Sequence, residues 1–283
     1  MSLVAYLRGT PPLSNPALAR WRLLHRHAEG GPWREVDAAA HRRTLDDAVR
    51  APAFALDHGD LVGLRGPTGA MAGFWVCGRG GELLDAGKVP SALGAHGRDW
   101  EAAWEGDRAK PQALLTAARD GSDPRRLVRA AVDCTDLAAE AQPERPPEAG
   151  AALDAARAWC RGEKATDEVH RLGAEAWTVA TQMLALDGGR TAGVFGVVEA
   201  TRAAACAATA ARHPNDASNA AFYAASAARA RGAPPPGAAG RALADAAVLA
   251  TRRALATRVR AWLPLSTVLL GAAGAPVPLP PGA

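Results

Sequence analysis

The stretch ALDAARAWCRGE, residues 152–163, decides the fold class of this chain. Its alanines recur at helical spacing and share one helix face with Trp159. This face is a narrow seam of small residues with one large side chain at its end. The stretch then stops at Arg161-Gly162-Glu163. Gly162 can take the left-handed conformation that ends a helix, Arg161 suits the negative end of the helix dipole, and Glu163 can pair with an arginine. The stretch therefore predicts a helix that packs closely against its neighbours.

The composition of the whole chain favours helices in the same way. Of 283 residues, 48% are hydrophobic, but only 5% are aromatic, and alanine supplies much of the apolar fraction. Alanine is the best helix former, whereas sheets are enriched in β-branched and aromatic residues. We therefore predict an all-α protein, built as an antiparallel helical bundle or a stacked helical array.

Helix start and stop signals recur regularly after residue 123. Asp123, Thr166 and Asn215 are N-cap residues, and Pro124 and Pro147 stand at first helical positions. Short loops between such helices are typical of antiparallel neighbours. The predicted helices span residues 124–142, 147–162, 166–186, 191–212, 216–231 and 238–262.

The N-terminal region has a different character. Helices are predicted at residues 17–28 and 34–50, and a further one at 100–120. Between them, residues 57–97 are rich in glycine and predict a loop-rich segment. Two short apolar runs within GFWVCGRGGELLDAG, residues 73–87, flank a glycine turn and indicate a small β-hairpin.

These signals divide the chain into three predicted regions: an N-terminal region at 1–120, an alanine-rich helical domain at 121–263, and a proline-rich tail at 264–283. The first residues contain too short an apolar run for a signal peptide. The apolar run at 263–274 is far shorter than a membrane span. We therefore expect a cytoplasmic protein that does not enter a membrane.

The sequence contains no motif for catalysis, a metal or a cofactor. Its four cysteines form no CxxC pair, and cysteines within alanine-rich helices usually act as small core residues. His25 and His27 are close in sequence, but on a predicted helix residues two apart point to different faces. The glycines between Gly63 and Gly73 have no lysine in range and do not form the motif of a phosphate-binding loop. We expect no metal, no cofactor and no enzyme activity.

The charges suggest protein contacts more than nucleic-acid contacts. The net charge is only +4, and the arginines are spread along the helices, whereas a nucleic-acid surface needs them clustered. Arg157 and Arg161 lie four residues apart on one helix face, and Asp133 and Asp136 lie three apart on another helix. Such residues either form ion pairs with each other on a solvated surface or bind a charged partner.

The order of features from residue 125 to 231 resembles a family of alanine-rich immunity proteins, immunity family five, which bacteria encode beside polymorphic toxins. The resemblance rests on three features: Asp133-Cys134 in the first helix, AARAW at 155–159 followed by Arg161-Gly162-Glu163, and AAFYAASAA at 220–228. Where family members carry histidines in the third and fourth helices, this chain has Trp177 and Ala211.

The resemblance implies a bacterial protein that binds and neutralises a cognate toxin without catalysis. Two alternatives stay open: a helical scaffold or protein-interaction module, and a small-molecule-binding protein or enzyme that uses residues 57–97 as a lid. The residues expected to contact a protein partner are Asp133, Arg157, Trp159, Arg161, Glu163 and Tyr223.

Overall fold

A computed structural model divides the chain into two compact units. The helical unit comprises Ala103–Pro264 and Val277–Ala283, and the sheet unit comprises Met1–Ala102 and Leu265–Pro276. The residues described are 22–28, 32–36, 56–67, 69, 71–78, 83–85, 104, 106, 109–119, 122–187, 191–230 and 238–272.

The predicted fold class is confirmed, because the described residues are mostly helical and their helices pack densely. The helices of the helical unit are α1 (Pro111–Ala118), α2 (Pro124–Ala141), α3 (Pro147–Cys160), α4 (Thr166–Asp187), α5 (Ala192–Thr209), α6 (Asp216–Arg229) and α7 (Ala238–Trp262).

The helix boundaries of this unit follow the local signals that the sequence contains. The carboxylate of Asp123 accepts a hydrogen bond of 2.7 Å from the backbone N–H of Arg125 and so caps α2. Gly162 has φ +79°, and its N–H donates to the carbonyl of Trp159 while Glu163 N–H donates to that of Ala158. These two bonds satisfy the carbonyls at the end of α3 as predicted.

Helix α5 is the centre of the helical unit. It packs against α2, α3, α4 and α6, and all residues from 203 to 208 are buried. A helix that is apolar on every side belongs inside a protein. Because most of these side chains are single methyl groups, the surrounding helices can approach α5 closely.

The approach of α4 to α5 depends on Gly173. A Cβ atom at this position would lie 2.9 Å from Cγ2 of Thr209 and 3.0 Å from the carbonyl oxygen of Ala205. Both distances are too short for a carbon contact, so a larger residue would force the two helices apart. Gly173 thus sets how closely α4 packs on α5.

The sheet unit contains strands β1 (Arg22–Arg26), β2 (Arg34–Val36), β3 (Leu61–Arg65), β4 (Met71–Cys77) and β5 (Leu83–Asp85), and helix α8 (Leu265–Ala272). The strands pair antiparallel in the order β2-β1-β3-β4-β5. Helix α8 packs against β4. The hairpin predicted within residues 73–87 is therefore present as β4 and β5, at one edge of a larger sheet.

Two predicted N-terminal helices are wrong wherever the structure describes them. Residues 22–26 of the helix predicted at 17–28 form β1, and residues 34–36 of the helix predicted at 34–50 form β2. Residues 23–26 are all buried, so β1 lacks the alternation of buried and exposed positions that would distinguish a strand from a helix. The remaining residues of both segments lie outside the described ranges.

Three other segments also differ from expectation. The prediction of one helix at 100–120 is only partly right: Trp104 is helical, but residues 109–110 are not, and α1 begins at Pro111. The described part of the glycine-rich segment consists largely of β3, β4 and β5. The predicted tail at 264–283 starts with α8, and its proline-rich residues 274–283 lie outside the described ranges. Within the described ranges, no helix has the length and apolar character needed to cross a membrane.

We expect Gly173→Ala to destabilise the protein by about 1–3 kcal/mol, because the added methyl group overpacks the contact between α4 and α5. Gly150→Ala in α3 is the matched control. A Cβ atom there meets nothing within 4 Å, so this variant should gain about 0.4–1 kcal/mol from the lower entropy of its unfolded chain. Urea unfolding measures both changes, and equal stability of the two variants would contradict the proposed role of Gly173.

Candidate functional site

A groove lies on the helical unit between α4, α5 and α6, and we call it the α4–α6 groove. Its volume is about 400 Å³, which is within the range of ligand pockets. The floor consists of small residues of α5, and larger side chains of α4 and α6 form the walls. The residues that line it are Ala174, Trp177, Thr178, Ala205, Cys206, Thr209, Asp216, Asn219 and Tyr223.

Aromatic side chains form the walls of the groove. The rings of Trp177 and Tyr223 meet edge to face, with centroids 5.8 Å apart. Phe222 extends this cluster, since its ring centroid is 5.4 Å from that of Tyr223. Trp177 is 39% exposed and Phe222 is 48% exposed. Exposed aromatic rings beside an apolar groove are a typical feature of interaction sites.

Arg202 of α5, which is paired with Glu199, packs against the rings of Trp177 and Tyr223. The guanidinium carbon of Arg202 lies 5.4 Å from the ring centroid of Trp177 and 5.8 Å from that of Tyr223. The same guanidinium donates a 3.0 Å hydrogen bond to Glu199, which is only 3% exposed. A buried carboxylate needs such a partner. The Glu199–Arg202 pair therefore fixes the position of both aromatic walls.

Asp216 is the only charged residue among those that line the groove. Its Oδ2 accepts a 2.7 Å hydrogen bond from the hydroxyl of Thr209, and its Oδ1 accepts one of 3.2 Å from the amide of Asn219. These two bonds orient the carboxylate at one side of the groove. The groove thus combines apolar aromatic walls with one fixed negative charge.

A histidine pair lies beyond one end of the groove. His170 precedes Ala174 by about one turn of α4, and His213 follows α5. Their ring centroids are 5.4 Å apart, in edge-to-face contact. No local sequence pattern indicates this pair, because the two residues are distant in sequence. Only the antiparallel packing of α4 and α5 brings them together.

Of the residues predicted to bind a partner, Tyr223 lines the groove, whereas the others around α3 lie in its last turn or just after its end, at Arg157, Trp159, Arg161 and Glu163. Two guanidinium nitrogens of Arg161, Nε and Nη2, each donate a 2.7 Å hydrogen bond to the carboxylate of Glu163. Arg157 pairs with Asp136 at 2.5 Å and with Asp154 at 2.8 Å. These arginines thus bind carboxylates of their own chain.

The two other predicted residues also make contacts within the helical unit. The indole N–H of Trp159 donates a 3.0 Å hydrogen bond to the hydroxyl of Thr166. Asp133 accepts a 2.6 Å hydrogen bond from the indole N–H of Trp262. Contact of Asp133, Trp159 and the arginines of α3 with a partner stays a prediction.

The cysteines are packed as small core residues, as the sequence indicated. All four are free and buried. Burial raises the pKa of Cys134 and of Cys206 to about 12, and that of Cys160 to about 11. The thiolate is the nucleophilic form, so these three side chains are poorly reactive at neutral pH. Cys206 therefore contributes to the floor of the groove as an apolar surface.

Comparison with known proteins does not place the chain in a family. No protein-family model, no curated protein and no solved structure matches it.

The buried Glu199 makes a specific prediction about pH. Burial raises the pKa of Glu199 above its ordinary 4.5, although hydrogen bonds from Arg202 and Ser226 oppose the shift. A carboxyl group with a raised pKa in the folded state is harder to ionise there than in the unfolded state. Its ionisation therefore removes stability as the pH rises from 4.5 through the raised value.

We expect this loss of stability in the wild-type protein but not in Glu199→Gln. The difference in unfolding free energy, wild type minus Glu199→Gln, should decrease as the pH rises, as measured by urea unfolding at a series of pH values. Glu175→Gln, which removes an exposed carboxylate of α4, controls for the loss of one glutamate. A pH-independent difference for Glu199→Gln would show that the ionisation of Glu199 is not coupled to folding.

Proposed function

We propose that this protein neutralises a cognate toxin by binding it in the α4–α6 groove. The resemblance of residues 125–231 to immunity family five supports the kind of partner, and the groove supplies a surface suited to binding. Neutralisation by binding requires complementary surfaces and no catalytic group. The observation that carries the proposal is the exposed aromatic cluster of Trp177, Phe222 and Tyr223.

The aromatic cluster has the properties of an interface anchor. Tryptophan and tyrosine contribute most strongly to binding where they are well packed and rigid. Here the Glu199–Arg202 pair supports both rings, and Gly173 keeps α4 close to α5. Because the walls are fixed before binding, little conformational entropy is lost when a partner binds.

The groove also indicates the chemistry of the segment that it would bind. The aromatic walls and the alanine floor suit an apolar side chain. Asp216 suits a lysine or arginine next to it, since opposite charges at an interface favour the correct partner. We therefore propose that the toxin inserts an apolar residue that is flanked by a basic one.

The test is co-expression with the toxin encoded by the adjacent gene. The wild-type protein should restore growth and co-purify with the toxin. Trp177→Ala should weaken the complex by more than about tenfold, because truncation of an interface anchor typically costs about 2 kcal/mol or more. The measurements are growth rescue and the dissociation constant of the purified complex.

Phe195→Ala is the matched control, because Phe195 is an equally exposed aromatic residue of α5 that does not line the groove. This variant should bind as the wild type does, and thermal unfolding would verify that both variants are folded. Equal effects of the two substitutions would exclude the groove as the binding site. Binding without growth rescue would favour the interaction module over the immunity protein.

A further inference from the structure

We infer that His25, His27 and Asp60 of the sheet unit form a binding site for a divalent transition-metal ion, with Zn²⁺ as the best match. One ligand atom from each residue lies within 4.8 Å of the other two. This cluster belongs to the sheet unit and shares no residue with the α4–α6 groove. The inference is therefore independent of the proposed function.

The strand β1 explains how the two histidines come together. On a strand, residues two apart point to the same side, whereas on a helix they diverge. His25 lies in β1 and His27 follows its last residue, and their ring centroids are 4.6 Å apart. The antiparallel register pairs Arg26 of β1 with Leu61 of β3. His27 follows Arg26 and Asp60 precedes Leu61, so these two residues are adjacent across the strands.

Asp60 is held in place by its backbone surroundings. Its Oδ1 accepts a 3.0 Å hydrogen bond from the N–H of Ala28, and its Oδ2 accepts one of 3.1 Å from the N–H of Asp57. The turn from Asp57 to Asp60 requires a glycine, because Gly59 has φ +89° and lies close to Ala28. The carboxylate is thus oriented by the backbone before any ion binds.

Asp60 is also a buried acid beside the two imidazoles. Its side chain is only 2% exposed, and a 2.8 Å hydrogen bond joins its Oδ2 to Nε2 of His25. A buried anion beside two imidazoles attracts a cation.

The distances are close to those of a zinc site. Zinc binds its ligands at about 2.0–2.1 Å, so the donor atoms of a tetrahedral site lie about 3.3 Å apart. Here Asp60 Oδ2 is 2.8 Å from Nε2 of His25 and 3.6 Å from Nδ1 of His27. The ion would replace the proton that His25 and Asp60 share, and the imidazoles would turn to bring all three donor atoms, which lie within 4.8 Å of one another, to that spacing.

The donor set decides which metals fit. Two imidazoles and one carboxylate suit Zn²⁺ and its neighbours in the first transition row, whereas Ca²⁺ and Mg²⁺ prefer oxygen ligands. The side chain of His27 is 52% exposed, while that of Asp60 is buried. The exposed side of the cluster therefore leaves room for water as a fourth ligand, the pattern of an open zinc site.

Zinc titration of the full chain tests the site. After removal of metals with a chelator, the wild-type protein should bind Zn²⁺ in isothermal titration calorimetry. His27→Ala should lower the affinity by more than about tenfold, because it removes a direct ligand and even the loss of an outer contact costs that much. His58→Ala is the matched control, since His58 is exposed and near Asp60 in sequence but is not part of the cluster.

Co²⁺ supplies a second measurement that reports geometry directly. The Co²⁺-loaded wild type and His58→Ala should show the visible absorption of a tetrahedral site, and His27→Ala should lose it. Asp60→Asn, with folding verified by circular dichroism, should also bind Zn²⁺ weakly, because an amide is a poor zinc ligand. Equal Zn²⁺ affinity in the wild type and His27→Ala, or no binding by the wild type, would overturn the inference.

Discussion

The helical unit depends on the close packing of its other helices around α5. Single methyl groups cover most of the buried stretch of this helix at residues 203–208, and Gly173 removes the side chain where α4 packs on α5. Each buried methyl group contributes only about 0.8 kcal/mol, so stability must come from many such contacts made at short range. The position of every neighbouring helix is therefore set by small residues.

The same constraint determines where large side chains can be placed. A seam of alanines has no space for rings, so Trp177, Tyr223 and Phe222 are located at the edge of the packed helices, where the α4–α6 groove opens. Glu199 and Arg202 are the charged residues of α5, and Arg202 packs against the rings of Trp177 and Tyr223. The candidate site is thus a direct consequence of how the core is packed.

In the sheet unit, the conformation of the segment around β1 decides whether His25 and His27 can bind the same ion. When residues 17–28 are interpreted as a helix, His25 and His27 diverge and no metal site is expected. In strand β1 the two imidazoles lie on one side, and the pairing with β3 brings Asp60 beside them. The ligand set is absent from the local sequence pattern because it joins positions that only the sheet register makes adjacent.

The sequence by itself determined the helical unit, from the cap at Asp123 to the stop at Gly162, because caps, prolines and alanine periodicity act within a few residues. It also identified Tyr223, although not the groove that this residue lines. Only the tertiary structure decided that residues 22–26 form a strand, and that His170 meets His213. Both outcomes depend on pairing with residues distant in the chain, and no signal within a few residues of either position indicates that pairing.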